Sequence, residues 1–388
     1  MTSVQQISEA DWMNQARRTP GRLLLTVWRI PACYPDLPVM VREVVLDTAF
    51  RAGMMASFAE RLIQFDCWPL ISQRERDVLD GMRMIANEHC RMLRWEVDRV
   101  HRALMDTGLK IVLLKGAAFD RLGLPNSAGR LVADLDILAD RADLKEIESC
   151  FNDHGWHSAI KDDYDQKYYR QWMHEIPPMR HQSRLTEVDV HHTILPVTSR
   201  LAPDPVRMMA DAVFLPEESA EEGRGVWLLS PVDMTLHCVV HLFYDSDFGR
   251  GLRDLMDLDG LLRHFSRQDV QFWDALVERS QSMQLGRPLY YALTLVHQLV
   301  GTPVPEATLT AVSKNRPWFG LRRLMHWLIP RVLLPGPLEK RDRLASFAWL
   351  LLYIRSHWLR MPPGMLFAHL SRKTKRRMSP DVRNRRTI

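Results

Sequence analysis

From the N-terminus to about residue 108, apolar residues recur at three- and four-residue spacing, the period of a helix with one buried face. The runs MVREVVLDTAFRAGMMASFAERLIQ and SQRERDVLDGMRMIANEHCRMLRWEVDRVHRALMDTG both follow it, and Gly108 stands where the second helix should stop. The pattern then changes. KIVLLKG is a short β-rich run ending in glycine, AAFDRLGL suits one or two helical turns, and PNSAGR has loop chemistry. DLDILA reads as a second strand, RADLKEIESCFNDHG as a helix closed by Gly155, and WHSAI as a further strand. In RLTEVDVHHTI (Arg184–Ile194) polar and apolar residues alternate, which predicts a half-buried strand. After about residue 230 helical periodicity returns. SPVDMTLHCVVHLFYD opens with Ser230 as N-cap, Pro231 just inside and Asp233 in the first turn. GLRDLMDLDGLLRHF, DVQFWDALVERSQSMQ and RPLYYALTLVHQLVG follow, with two more helices between Trp318 and Leu370.

The expected class is therefore α+β: a small mixed β-sheet core at 109–200 between an N-terminal helical region, 1–108, and a C-terminal one, 201–370. Residues 371–388 are expected to be a basic, disordered tail. Charge sharpens this picture. The net charge is +5, yet SRKTKRRMSPDVRNRRTI alone holds eight Lys/Arg against one Asp, leaving −2 for the rest. A solvated end is the expected reading of that run, ahead of contact with nucleic acid or an anionic membrane. The longest apolar stretch, FAWLLLYI (Phe347–Ile354), stops at Arg355 and falls far short of the roughly 20 residues of a transmembrane helix. The first twenty residues carry Glu9 and Asp11 and no apolar signal core. Five scattered cysteines contain no CxxC pair, which argues against a disulfide framework or zinc ribbon. A reducing cytoplasm is the expected location.

Candidate chemistry centres on acids inside strands, where unpaired carboxylates are costly. Asp134 and Asp136 share a face of one predicted strand; Glu187, Asp189 and His191 share a face of another. If the strands are neighbours, three or four acids converge. That donor set suits Mg²⁺, which takes oxygen ligands and completes its shell with substrate phosphates. Two such ions would activate a hydroxyl and steady a pyrophosphate leaving group. Lys115 and Gly116 end the first strand, and Arg130 precedes the second; all three are candidates for phosphate contact.

The run IVLLKGAAFDRLGLPNSAGRLVADLDILADRADL, followed by EVDVHHTI, resembles the uncharacterised nucleotidyltransferase family of bacteria, within the DNA polymerase β-like nucleotidyltransferase superfamily. The matching features are Lys115–Gly116, Gly129–Arg130, Asp134–Leu–Asp136 and Asp189–Val–His191. LLSPVDMTLHCVVHLFYD and GLRDLMDLDGLL resemble the family's later helices, and the resemblance spans roughly Leu104 to Pro305. It departs from the superfamily's usual Gly-Ser or Gly-Gly before the acids, since Lys-Gly-Ala stands there, and Gly129 and Arg130 adjoin directly. The resemblance implies that Asp134 and Asp136 bind two Mg²⁺ ions, or Mn²⁺, that Asp189 is the third catalytic carboxylate, and that Lys115, Gly116 and Arg130 bind phosphate. It implies in-line attack by an acceptor on the α-phosphorus of an NTP, ATP by default, with release of pyrophosphate. Phosphoryl transfer to a peptide or small molecule needs the same parts in a shifted pose. A non-catalytic nucleotide- or partner-binding module is the alternative outside enzymology.

Other residues weigh less. His237 and His241 are four apart on a predicted helix, with Asp245 four further on, but the Glu of H-E-x-x-H is absent. They are expected as helix-face histidines, and His241 as a cleft-lining candidate together with Glu187, His191, Arg253 and Asp257. Arg253 and Asp257 are spaced for an intrahelical ion pair. His192 should point away from the acids. No Walker, Gly-x-Gly-x-x-Gly or Gly-x-Ser-x-Gly pattern occurs.

Overall fold

The amphipathic run after Ser72 folds as one long helix, Gln73–Leu104, in a computed structural model that describes residues 8–184, 186–216, 225–244, 248–337, 342–362 and 364–366. Its start is a reciprocal cap: Ser72 Oγ accepts from the Glu75 amide at 3.3 Å while Glu75 Oε2 accepts from the Ser72 amide at 3.0 Å. Such a cap contributes about 1 kcal/mol and fixes where the helix begins. Shorter helices, Pro20–Arg29, Val39–Arg51 and Met55–Gln64, precede it and bury Leu23, Val41, Phe58 and Leu62 in a core continuous with that of the sheet.

The sheet has seven strands: β1 (Ile111–Leu113), β2 (Asp134–Ala139), β3 (Trp156–Ser158), β4 (Met179–His181), β5 (Glu187–His191), β6 (Val213–Pro216) and β7 (Gly225–Leu228), in the order β3-β4-β5-β2-β1-β7-β6. β5 runs parallel to β2 and β7 parallel to β1, while β1 and β2 are antiparallel. The class is α+β, as the periodicity indicates. The sheet nevertheless extends past residue 200, because β7 pairs with β1 and β6 joins β7 as an antiparallel partner. The central strands β1, β2 and β5 bury Val112, Leu135, Ile137, Val188 and Val190. On its helix-covered side a buried charge pins the long helix to the sheet edge: Glu96 accepts from Trp156 Nε1 at 2.8 Å and from Arg184 Nε at 2.9 Å. A buried acid survives there because both partners satisfy it.

The C-terminal helices start as the local signals indicate. Ser230 Oγ accepts from the Asp233 amide at 3.2 Å, and the helix Pro231–Tyr244 follows. The helix Gly251–Gln268 packs beside it, and Arg343–Arg360 packs against Pro231–Tyr244 as well. Asp245 and the basic run 371–388 lie outside the described residues. Among the described residues no helix is long and apolar enough to cross a membrane.

Candidate active site

β2 and β5 are in register, so Asp136 faces Asp189 across the ladder and Asp134 faces Glu187. Residues two apart share a strand face, and Asp134, Asp136 and Asp189 each offer an oxygen within 4.8 Å of the others. They line a cavity of about 340 Å³ whose other wall is made by His237, His241, Arg253 and Asp254 of the two C-terminal helices. The sheet thus brings together two acidic motifs separated by more than fifty residues.

Lys115 occupies the turn between β1 and the helix Lys115–Arg121 with φ of 46°. A non-glycine residue in the left-handed region costs about 1–3 kcal/mol, and here the conformation accompanies a contact of Lys115 Nζ with Asp136 Oδ1 at 2.8 Å. Gly116 has no room for a side chain: a Cβ there would collide with Arg130 Nη1 and lie 2.9 Å from Val132 Cγ2. The close approach that glycine permits at this position is therefore that of Arg130. Gly129, at φ 68°, is required twice over, since a Cβ would also strike the Ala56–Ser57 backbone, 2.5 Å from the Ser57 amide nitrogen.

Asp136 and Asp189 have opposite electrostatics. Burial disfavours charge on Asp136, but Lys115 and a hydrogen bond from His191 Nε2 at 3.0 Å hold its carboxyl well below the usual range. Burial, then Glu175, Asp136 and Asp134, push Asp189 up to about 9. Asp189 Oδ1 is buried without a hydrogen-bond partner among the described residues. A cation held by the three aspartates would satisfy that oxygen and relieve the repulsion, so the donor set fits a hard divalent ion.

The helical wall corrects one expectation. Asp257 does not pair with Arg253 along its own helix; Arg130 Nε binds Asp257 Oδ2 at 2.9 Å, across 127 positions of sequence. Arg253 instead donates to the Leu131 carbonyl at 3.2 Å and lies 3.5 Å from Asp254 Oδ1, while its Nε is buried without a hydrogen-bond partner among the described residues. His241 Nδ1 lies 3.3 Å from Asp254 Oδ2. Arg130, Arg253, Asp257, His191 and His241 all line the cavity. Glu187 does not: it binds Arg180 of β4 at 2.5 Å, because it sits at the outer end of β5. His192 faces a separate cavity with Arg141, where burial lowers its imidazole to about 4.

Asp254, His174 and Glu175 were not anticipated. His174 and Glu175 follow the helix Asp163–Trp172 and enter the cavity beside His191. Glu175 bridges antiparallel to His191, the His192 amide donates to the His174 carbonyl at 2.8 Å, and the Ile176 amide donates to Val190 at 3.0 Å. The available signal was Ile176-Pro177-Pro178: a residue before proline is pushed into extended backbone, as a strand-edge segment requires.

The sheet presents three aspartates on one face of a polar cavity. A family described as uncharacterised nucleotidyltransferase matches residues 42–301, well over half of the chain, and the chain belongs to that family. It is accordingly a transferase with a nucleotide substrate. No curated protein and no solved structure matches it.

Proposed function

We propose that the chain transfers a nucleotidyl group from an NTP, ATP first, to an acceptor hydroxyl or phosphate and releases pyrophosphate. The observation that carries this reading is the in-register placement of Asp136 beside Asp189, with Asp134 on the same face and one buried oxygen left without a hydrogen-bond partner among the described residues. Asp134, Asp136 and Asp189 are the ligands for Mg²⁺, with Mn²⁺ suited to the same oxygens. When bound, the divalent ions supply charge stabilisation at the attacking and leaving oxygens. Asp189 takes the acceptor's proton once bound ions have displaced its own. Lys115 and the Gly116 amide hold phosphate oxygens from the sheet side. Arg130, braced by Asp257, and Arg253 hold them from the helical side. The C-terminal helices form the acceptor wall.

The test is incubation of the full chain with α- and γ-labelled ATP, Mg²⁺ and cell extract. Transfer of the α label supports the proposal. Movement of the γ label alone replaces it with phosphoryl transfer, and retention of ATP with neither label moving replaces it with a binding module. Asp136→Asn should retain its fold and lose at least about a hundredfold in transfer; unchanged transfer refutes the metal assignment.

A further inference from the structure

We propose that His174, Glu175 and His191 form a second metal site, adjoining the three aspartates but separate from them, for a borderline divalent cation of the zinc type. Each residue offers one donor atom within 4.8 Å of the other two. His174 Nε2 lies 3.7 Å and His191 Nε2 3.5 Å from Glu175 Oε2. These separations are too long for hydrogen bonds. They are close to the edge of a tetrahedron: donors bound at roughly 2.0–2.1 Å stand roughly 3.3–3.5 Å apart. Very little movement closes the site around an ion.

The surroundings agree. His191 is only 2% exposed, and the Nδ1 atoms of both His174 and His191 are buried without hydrogen-bond partners among the described residues. Each imidazole turns Nε2 toward Glu175, so a metal bound there leaves the ring proton on Nδ1. The segment presenting His174 and Glu175 is clamped to β5 through the Ile176 amide and the His174 carbonyl, so the three side chains stand on a fixed backbone. Two nitrogens and one oxygen select zinc-like ions, whereas the neighbouring all-oxygen set selects magnesium-like ions. Three protein donors leave a fourth position, which opens on the shared cavity and takes water or a substrate oxygen.

The two sites share a switch. His191 Nε2 lies 3.0 Å from Asp136 Oδ1. When that nitrogen binds a metal, its proton must reside on Nδ1, and Asp136 loses a hydrogen-bond donor. Occupancy of the nitrogen site thus removes one of two contacts to Asp136 Oδ1 and leaves Lys115 Nζ, at 2.8 Å, as its remaining donor beside the aspartate site.

The experiment is a cobalt titration of the metal-stripped full chain, read by the visible absorption of four-coordinate Co²⁺ and by bound-metal stoichiometry. The native chain and Asp134→Asn should both show the absorption. His174→Ala and Glu175→Gln, each verified as folded by circular dichroism, should lose it, with affinity falling at least about tenfold. His174→Gln serves if the alanine variant does not fold. An absorption that survives in both the position-174 and position-175 variants overturns the inference, as does its absence from the native chain. Cobalt bound here without label transfer refutes only the transfer reading. Label transfer with no histidine-dependent cobalt refutes only the second site.

Discussion

The two walls of the cavity treat charge in opposite ways. On the helical wall the buried acids have bonded partners: Asp257 with Arg130 at 2.9 Å, Asp254 with His241 at 3.3 Å. Just behind it, Asp259 binds Arg263 at 2.7 Å and Asp233 is held by Arg279 at 2.7 Å. On the sheet wall Asp134, Asp136, Asp189 and Glu175 crowd around Lys115 and His191, and one carboxylate oxygen has no bond among the described residues. The helical wall uses charge to fix geometry. Among the described residues the sheet wall gathers its carboxylates more closely than it pairs them. Imbalance, rather than charge itself, distinguishes the wall proposed to hold the ions.

The contrast breaks most visibly at Arg130. Arg130→Met should cost about 3–5 kcal/mol in urea denaturation, because Asp257 is left buried and unpaired, and Asp257→Leu in the same chain should restore most of the loss. A single-variant cost below about 1 kcal/mol would mean that the helical wall is not held by its ion pairs. The sheet wall should respond in the reverse sense. Its Asp189 keeps a proton up to about pH 9 in the folded chain, whereas the unfolded chain releases it near about 3.9. The associated stability is complete below that lower value and is lost as pH rises through about 9. In chelator at pH 8, Asp189→Asn should therefore be more stable than the native chain by about 1–3 kcal/mol, and the gain should shrink toward pH 4. A variant less stable than the native chain at pH 8 contradicts this imbalance. The smallest effect sharpens the same point. Calorimetric Mg²⁺ titrations at pH 7.5 in buffers of different ionisation enthalpy should show release approaching one proton per ion, abolished by Asp189→Asn. Equal heats in all buffers would show that the carboxylate is already ionised.

Legibility in the sequence followed the same division. The acid-bearing strands announced themselves because period-two alternation forces Asp134 with Asp136, and Asp189 with His191, onto common faces. Their register could not be read locally, since parallel pairing of β2 with β5 is a tertiary choice. β4, β6 and β7 have only three or four residues each, too few to show a period. The Arg130–Asp257 pair crosses 127 positions, and helical spacing gave Asp257 a nearer partner in Arg253 that the fold does not use. His174 and Glu175 lie on a segment that is neither helix nor strand, and only the two prolines after Ile176 hint at its extended path.

Gly129 carries a consequence for anyone dissecting the molecule. Its turn aims Arg130 into the cavity while resting on the Ala56–Ser57 backbone, and β1 leans on β7 from beyond residue 200. The smallest stretch that contains every acid of the triad would lose the seat under residue 129, a strand neighbour and the counter-ion of Arg130. No miniature cut from the middle of this chain can stand in for the whole.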